Sequence, residues 1–180
     1  MNVENTDSRL IYPIVKYGDP VLETQAATVT EFGTVELRKL IEDMFESMYA
    51  AKGVGLAAPQ IGISRRIAVI DLSVGEDAAQ KIVLINPEII AMDGGQTSEE
   101  GCLSVPGFRE QVTRAQKATV RARDVEGESF EVSGEDLLAR ALQHETDHLN
   151  GRLYLSHVSP LKRDLIRRRV RKMIKAGEWK

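Results

Sequence analysis

Two histidines and two carboxylates stand close together in the segment His-Glu-Thr-Asp-His at residues 144–148. Residues four apart lie on the same face of a helix, so His144 and His148 can both bind one ion. Glu145 follows the first histidine and can reach a water molecule at that ion without being a ligand itself. A divalent ion lowers the pKa of its bound water and polarises a carbonyl group, while a nearby carboxylate moves the proton. The segment therefore predicts a metal-dependent hydrolase.

A third protein ligand, which catalytic sites of this kind usually have, is missing from this segment. One class of zinc peptidases uses the last histidine of His-Glu-x-x-His-x-x-Gly-x-x-His, but Tyr154 occupies that position here. Another class uses a glutamate on a later helix. Between Tyr154 and Lys175 the only carboxylate is Asp164, which lies in a strongly basic stretch. His157 is available but stands just before the Ser-Pro break at residues 159–160. Both peptidase patterns are therefore disfavoured.

Cys102, the only cysteine, lies in the small-residue segment Glu-Gly-Cys-Leu-Ser at residues 100–104. A thiolate is a good ligand for zinc or ferrous iron. A lone cysteine is more often a small buried apolar residue, and a nucleophilic cysteine paired with histidine is a further alternative. The shortage of other third ligands favours Cys102 as a metal ligand. A single cysteine also excludes an internal disulfide and suits a reducing cytoplasm.

Hydrophobic periodicity predicts the elements that position these residues. Residues 34–51 are predicted to form a helix, because apolar side chains recur there at three- and four-residue spacing: Leu37, Leu40, Ile41, Met44, Phe45 and Met48. Residues 53–60 contain too much glycine and proline for regular structure. Short strands are predicted at residues 67–72, 82–86, 88–92, 118–123 and 129–132. The helix that carries the histidines is predicted to begin at Ser133 and to stop at Gly151, and a third helix to begin at Ser159.

Helices at both ends with strands between them predict one α+β domain over residues 1–180. Residues 1–9 are expected to be a loose end. That end lacks the basic and apolar regions of a signal peptide, and the chain has no apolar run of the ~18 residues that suggest a membrane span. We therefore expect a cytoplasmic protein with neither a membrane nor DNA as a partner.

Three motifs resemble those of the peptide deformylase family: Gly-Val-Gly-Leu-Ala-Ala-Pro-Gln at residues 53–60, Glu-Gly-Cys-Leu-Ser at 100–104 and Gln-His-Glu-Thr-Asp-His at 143–148. The resemblance extends from about Pro13 to the C-terminal helix. It implies antiparallel sheets packed around a central metal-binding helix. It also implies hydrolysis of the formyl group from the N-terminal formylmethionine of nascent polypeptides, with release of formate.

The resemblance assigns roles to individual residues. Cys102, His144 and His148 would bind one divalent ion, typically Fe²⁺, with Zn²⁺, Ni²⁺ or Co²⁺ as substitutes. A metal-bound water would attack the formyl carbonyl, with Glu145 as general base and then acid. The side chain of Gln60 and the backbone N–H of Leu103 would stabilise the oxyanion. The expected substrate-binding residues are Gly55, Val54, Glu100, Gly101, Leu137 and Ala141; among them Val54, Leu137 and Ala141 are candidates for an apolar methionine pocket.

The C-terminal helix, predicted over residues 159–176, is strongly basic. Residues 160–180 contain nine Lys or Arg and two Asp or Glu, so this segment carries +7 and the rest of the chain −10. Its predicted apolar stripe is Leu161, Leu165, Ile166, Val170 and Met173. The charges are either simply solvated or contact the ribosome near the exit tunnel. Two alternatives to a deformylase are a zinc metallopeptidase and a non-catalytic, ribosome-associated module of the same fold.

Overall fold

The computed structural model describes residues 8–180, which form three α-helices and seven β-strands. The helices are α1 (Val35–Ala50), α2 (Asp136–Leu149) and α3 (Pro160–Lys175). The strands are β1 (Gly55–Ala57), β2 (Ile67–Ile70), β3 (Ile82–Asp93), β4 (Gln96–Gly101), β5 (Arg109–Arg114), β6 (Lys117–Arg123) and β7 (Ser129–Glu135). Short 3-10 helices connect several of them.

A five-stranded antiparallel sheet separates α1 from α2, and a two-stranded hairpin stands apart from it. The sheet has the order β1-β2-β3-β6-β7, and β4 pairs with β5. Successive side chains of β2 point to opposite faces of the sheet, and all four are buried because both faces are covered. Ile67 and Val69 pack with α1, whereas Ala68 and Ile70 pack with α2. The predicted single α+β domain with antiparallel sheets is confirmed.

The segments next to β2 differ from the sequence prediction. Residues 55–57, predicted to be irregular, form the edge strand β1, since their backbone pairs with β2. The two strands predicted at residues 82–86 and 88–92 are one strand with a shift in register beside Pro87. Proline has no N–H to donate to the neighbouring strand, so a bulge forms at this point.

The start of α2 was also predicted wrongly. Ser133 does not cap the helix: β7 continues to Glu135, and Ser133 shares a hydroxyl hydrogen bond with Thr119 on β6. Strands β4 and β5 had no predicted counterpart because β4 has a largely polar sequence, in which Glu100 alone is buried. Pairing with β5, rather than a hydrophobic pattern, defines it.

The bounds of α3 agree with the prediction, and the Ser159 side chain caps it by accepting from the Lys162 N–H. Within its apolar stripe, Ile166 and Val170 are buried, whereas Leu161 and Leu165 are 71% and 56% exposed. The loose end predicted for residues 1–9 falls, at residues 1–7, outside the described part of the chain. Across residues 8–180, no helix combines the length and apolar character required to cross a membrane.

Candidate active site

Cys102, His144 and His148 bring one ligand atom each to a common point. These atoms all lie within 4.8 Å of one another. The Nε2 atoms of the two histidines are 3.1 Å apart, and the Cys102 Sγ is 3.4 Å from the Nε2 of His148. Both histidines project from one face of α2, whereas Cys102 follows the end of β4. The predicted ligand set is therefore gathered at one place by two separate elements.

The surroundings of His144 suit a metal ligand. Its Nδ1 lies in hydrogen-bonding contact with Glu100, a carboxylate that can only accept when ionised. Nδ1 therefore carries the proton, and the lone pair of Nε2 faces Cys102 and His148. A carboxylate behind a histidine in this way is common in metal sites. The soft sulfur and two imidazole nitrogens fit zinc, ferrous iron, nickel or cobalt.

Glu100 is held in its ionised form by buried partners. Two bonds from Arg114 reach it at 2.8 and 2.9 Å, and Arg140 donates to it at 2.7 Å. Burial alone would raise the pKa of Glu100, but the hydrogen bonds from His144 and Arg114 outweigh it and leave the pKa well below its usual range. The Glu100 carboxylate lines the cleft, yet its oxygens are occupied by these side chains rather than left free for substrate.

Glu145 lines the same cleft as Cys102 and His144. Its side chain is buried, and within residues 8–180 Oε2 accepts no hydrogen bond. Burial raises the pKa of Glu145 to about 7, which is near the value that suits a general base or acid at neutral pH. Gly55 faces this carboxylate so closely that an added Cβ would lie 2.9 Å from its Cδ. A larger residue at position 55 would displace Glu145.

Gln60 presents amide hydrogens to the cleft. Its Oε1 accepts from the Ala57 N–H at 2.9 Å, and this contact fixes the orientation of the amide. Nε2 therefore faces the Cys102 Sγ at 3.5 Å and the Ser104 Oγ at 3.3 Å. The contact with Ser104 is long for an N–H···O bond, so a stronger acceptor in the cleft can compete for this hydrogen. The Leu103 N–H is not taken up by any acceptor in the part of the chain that the structure describes.

The cleft in front of these groups has a volume of about 500 Å³. Val54, Gly55, Leu137 and Ala141 line it, and Leu137 is 54% exposed at its rim. Gly101, another expected substrate contact, lines it as well. The apolar residues of this set can accommodate an apolar side chain of a bound ligand.

We expect Leu137→Trp to raise KM for a formyl-methionyl peptide by about tenfold, because a bulkier rim narrows an apolar pocket. KM is measured from the rate of formate release at varied concentrations of formyl-Met-Ala-Ser. Leu161→Trp is the matched control, since Leu161 is an exposed leucine outside the cleft. An unchanged KM and an unchanged preference for methionine in Leu137→Trp would place the methionine pocket elsewhere.

Sequence reasoning missed the buried ion pairs behind the ligands. Arg140 lies one helical turn before His144, and that spacing was a usable signal. Arg114 on β5 gave no such signal, because its strand was not predicted and its partners are distant in sequence. Asp147 accepts from Arg114 at 2.9 Å and was recognised only as part of the histidine segment.

Comparisons with known proteins agree with the geometry. A family profile described as Polypeptide deformylase matches residues 11–164. A peptide deformylase of Acidobacterium capsulatum is 64% identical over 170 residues, which is 94% of this chain and 99% of that protein. One from Cellvibrio japonicus is 48% identical over 168 residues, 93% of this chain and 98% of that protein.

Solved structures give the same result. The crystal structure of a peptide deformylase from Legionella pneumophila has a TM-score of 0.85 at 48% identity and covers 94% of this chain and 99% of that one. The enzyme from Thermus thermophilus has a TM-score of 0.83 at 40% identity, with 93% and 98% covered. With its fold, its cleft and its sequence all in agreement, the chain belongs to the polypeptide deformylase family.

Proposed function

We propose that this enzyme removes the N-terminal formyl group with the residues gathered in the cleft, and that its substrate is the formylmethionine of nascent polypeptides. The observation that carries the proposal is the convergence of the Cys102 Sγ and two histidine Nε2 atoms in a cleft that Glu145 also lines, with no hydrogen-bond partner for its Oε2 among the described residues. Cys102, His144 and His148 would hold one divalent ion. That ion, when bound, polarises the formyl carbonyl and lowers the pKa of water.

The protein's own groups move the proton and stabilise charge. Glu145 accepts a proton from the attacking water as the water oxygen bonds to the formyl carbon. Negative charge then develops on the carbonyl oxygen, where Gln60 Nε2 and the Leu103 N–H donate hydrogen bonds. Glu145 next gives its proton to the amine nitrogen, the carbon–nitrogen bond breaks, and the product leaves as formic acid, which loses its remaining proton to become formate. Burial of Glu145 suits both steps, because a pKa of about 7 lets it accept and return a proton at neutral pH.

Formate release from formyl-Met-Ala-Ser tests this function directly. The protein is loaded anaerobically with ferrous iron, and formate is measured enzymatically alongside the appearance of a free amine. We expect one formate for each free amine. Cleavage of the Met-Ala bond instead would indicate the zinc metallopeptidase, and ribosome binding without formate would indicate the non-catalytic module.

We propose ferrous iron as the ion of the native enzyme. We also propose that the enzyme acts in the cytoplasm. A site of one sulfur and two nitrogens accepts Fe²⁺, Zn²⁺, Ni²⁺ and Co²⁺, so availability rather than affinity selects among them. A single cysteine suits a reducing compartment, where the nascent chain is made. Metal analysis of protein purified without oxygen identifies the ion.

Helix α3 is the surface that we propose for the ribosome. Arg168 pairs with Asp164, Lys162 with Glu110, and Arg167 donates to the Tyr17 hydroxyl. Several other basic side chains of the helix are exposed and have no such acidic partner in the described residues: Arg169, Arg171, Lys172 and Lys175. These charges suit a phosphate-rich surface near the exit tunnel.

We expect ribosome association to weaken steeply between about 50 and 200 mM salt, as phosphate contacts made by Lys and Arg do. The triple change Arg171→Glu, Lys172→Glu and Lys175→Glu should abolish it, measured by cosedimentation. The triple change Lys117→Glu, Arg121→Glu and Arg123→Glu at exposed positions of β6 alters the total charge by the same amount and is the control. Deleting the helix is a poorer test because Ile166 and Val170 are buried against the domain. Association that is insensitive to salt would contradict the proposal.

A further inference from the structure

His157 lies outside the cleft, in a separate shallow depression. It follows α2, in the 3-10 helix Tyr154–His157, and shares the depression with Arg114, Gln143 and Asp93. His157 is the third histidine of the chain and is not among the converging ligand atoms. Its side chain is 34% exposed. A partly exposed histidine outside the cleft is ordinarily only a surface residue, but this one is connected by hydrogen bonds to buried side chains.

A continuous series of polar contacts runs from His157 to the ligand His144. The Nε2 of His157 is 2.8 Å from the Asp147 Oδ2, and the same oxygen accepts from the Arg114 Nη1 at 2.9 Å. Arg114 then donates hydrogen bonds to Glu100 from its Nε and Nη2, and Glu100 accepts one from the Nδ1 of His144. Since the ionised Asp147 can only accept, the Nε2 of His157 carries its proton and donates to it.

Because the middle of this series of contacts is buried, a change at His157 can alter the positions of the side chains farther in. The side chains of Arg114 and Glu100 are 2% and 5% exposed, so neighbouring side chains rather than water determine their positions. Asp147 is 14% exposed and holds the far side of the Arg114 guanidinium. His157 is the second side chain that donates to the Asp147 carboxylate, beside Arg114. Without that donor, Asp147 is free to turn towards water and to draw Arg114 away from Glu100.

We propose that His157 is a positioning residue that, through Asp147 and Arg114, keeps Glu100 against His144. The inference rests on the proposed function only in taking His144 as a metal ligand. Arg140 also holds Glu100, at 2.7 Å, so loss of His157 should loosen the ligand rather than release it. Glu100 fixes the proton of His144 on Nδ1, and a loosened Glu100 lets that imidazole change its orientation and basicity.

Cobalt release and the cobalt spectrum test this role. Wild type, His157→Ala and His157→Gln are loaded with Co²⁺, and transfer of the ion to a coloured chelator is timed. We expect about threefold faster release and shifted visible absorption bands in His157→Ala, below the roughly 10–100-fold change typical of removing a direct partner such as Glu100. His157→Gln keeps an N–H donor of similar reach and should restore both properties.

Lys162→Ala is the matched control, because it removes a 2.9 Å contact between α3 and β5 that is not connected to His144. Wild-type release and spectrum in His157→Ala would overturn the proposal, and so would fast release that His157→Gln does not restore, since that would indicate lost packing. His157→Ala unfolding at a lower temperature with an unchanged spectrum would likewise show a merely structural role. Failure of the wild type to bind cobalt would instead contradict the proposed function.

Discussion

Replacing Glu145 with glutamine is expected to lower kcat for formate release by about 10²–10⁴, the range that general acid–base catalysis typically contributes. Glutamine has nearly the same shape, so it fits beside Gly55, but it cannot accept the proton of the attacking water. Glu145 is not among the three converging ligand atoms. The metal content should therefore stay at the wild-type level while turnover is lost.

The measurement is formate release by iron-loaded protein, with the metal content of the same sample determined in parallel. Glu131→Gln is the control, since it makes the same chemical change at an exposed glutamate of β7 paired with Arg121. It should leave kcat unchanged. If Glu145→Gln kept more than about a tenth of the wild-type rate, another group would have to be the base.

Gln60→Ala should lower kcat by about 10²–10³, the usual cost of removing one oxyanion donor. The Nε2 hydrogens face the cleft because the Ala57 N–H holds the opposite end of the amide. The effect should fall on kcat more than on KM, since the oxygen that accepts these hydrogen bonds becomes charged only as the reaction proceeds.

Gln96→Ala provides the comparison for Gln60→Ala. The Gln96 side chain also makes two hydrogen bonds, to the Ala115 and Asp136 carbonyls, but it lies outside the cleft. Its loss should lower stability without changing kcat. A Gln60→Ala enzyme with normal kcat and raised KM would mean that Gln60 binds the ground state and stabilises no developing charge.

The site residues differ in how far sequence could predict them. The helix spacing of His144 and His148 is local, so one turn of sequence predicts that they share a face. Cys102 was chosen because other third ligands were lacking, and its distance of 3.4 Å from His148 depends on how β4 ends beside α2. The orientation of the Gln60 amide depends on the backbone N–H of Ala57, three residues earlier. That contact lies in a segment for which the sequence predicted no regular structure.

The elements differ in the same way. The stripe of α1 was predicted correctly because its period lies within the helix itself. Strands β4 and β5 were missed because they are held by pairing with each other and half of their residues are exposed. On α3, the apolar stripe alone did not show which residues are buried: Ile166 and Val170 are, whereas Leu161 and Leu165 are exposed.

By itself the sequence predicted the kinds of ligand, the proposed acid–base residue and the helix that carries them, since these predictions follow from residue type and short-range spacing. Only the tertiary structure decided that Glu100, Arg114 and Arg140 form a buried set of charges behind His144. Those residues come from β4, β5 and α2, and their contacts form only when the hairpin and the helix are packed together. Two of the three proposed metal ligands are therefore close in sequence, whereas the side chains that hold them in position come together only in the complete fold.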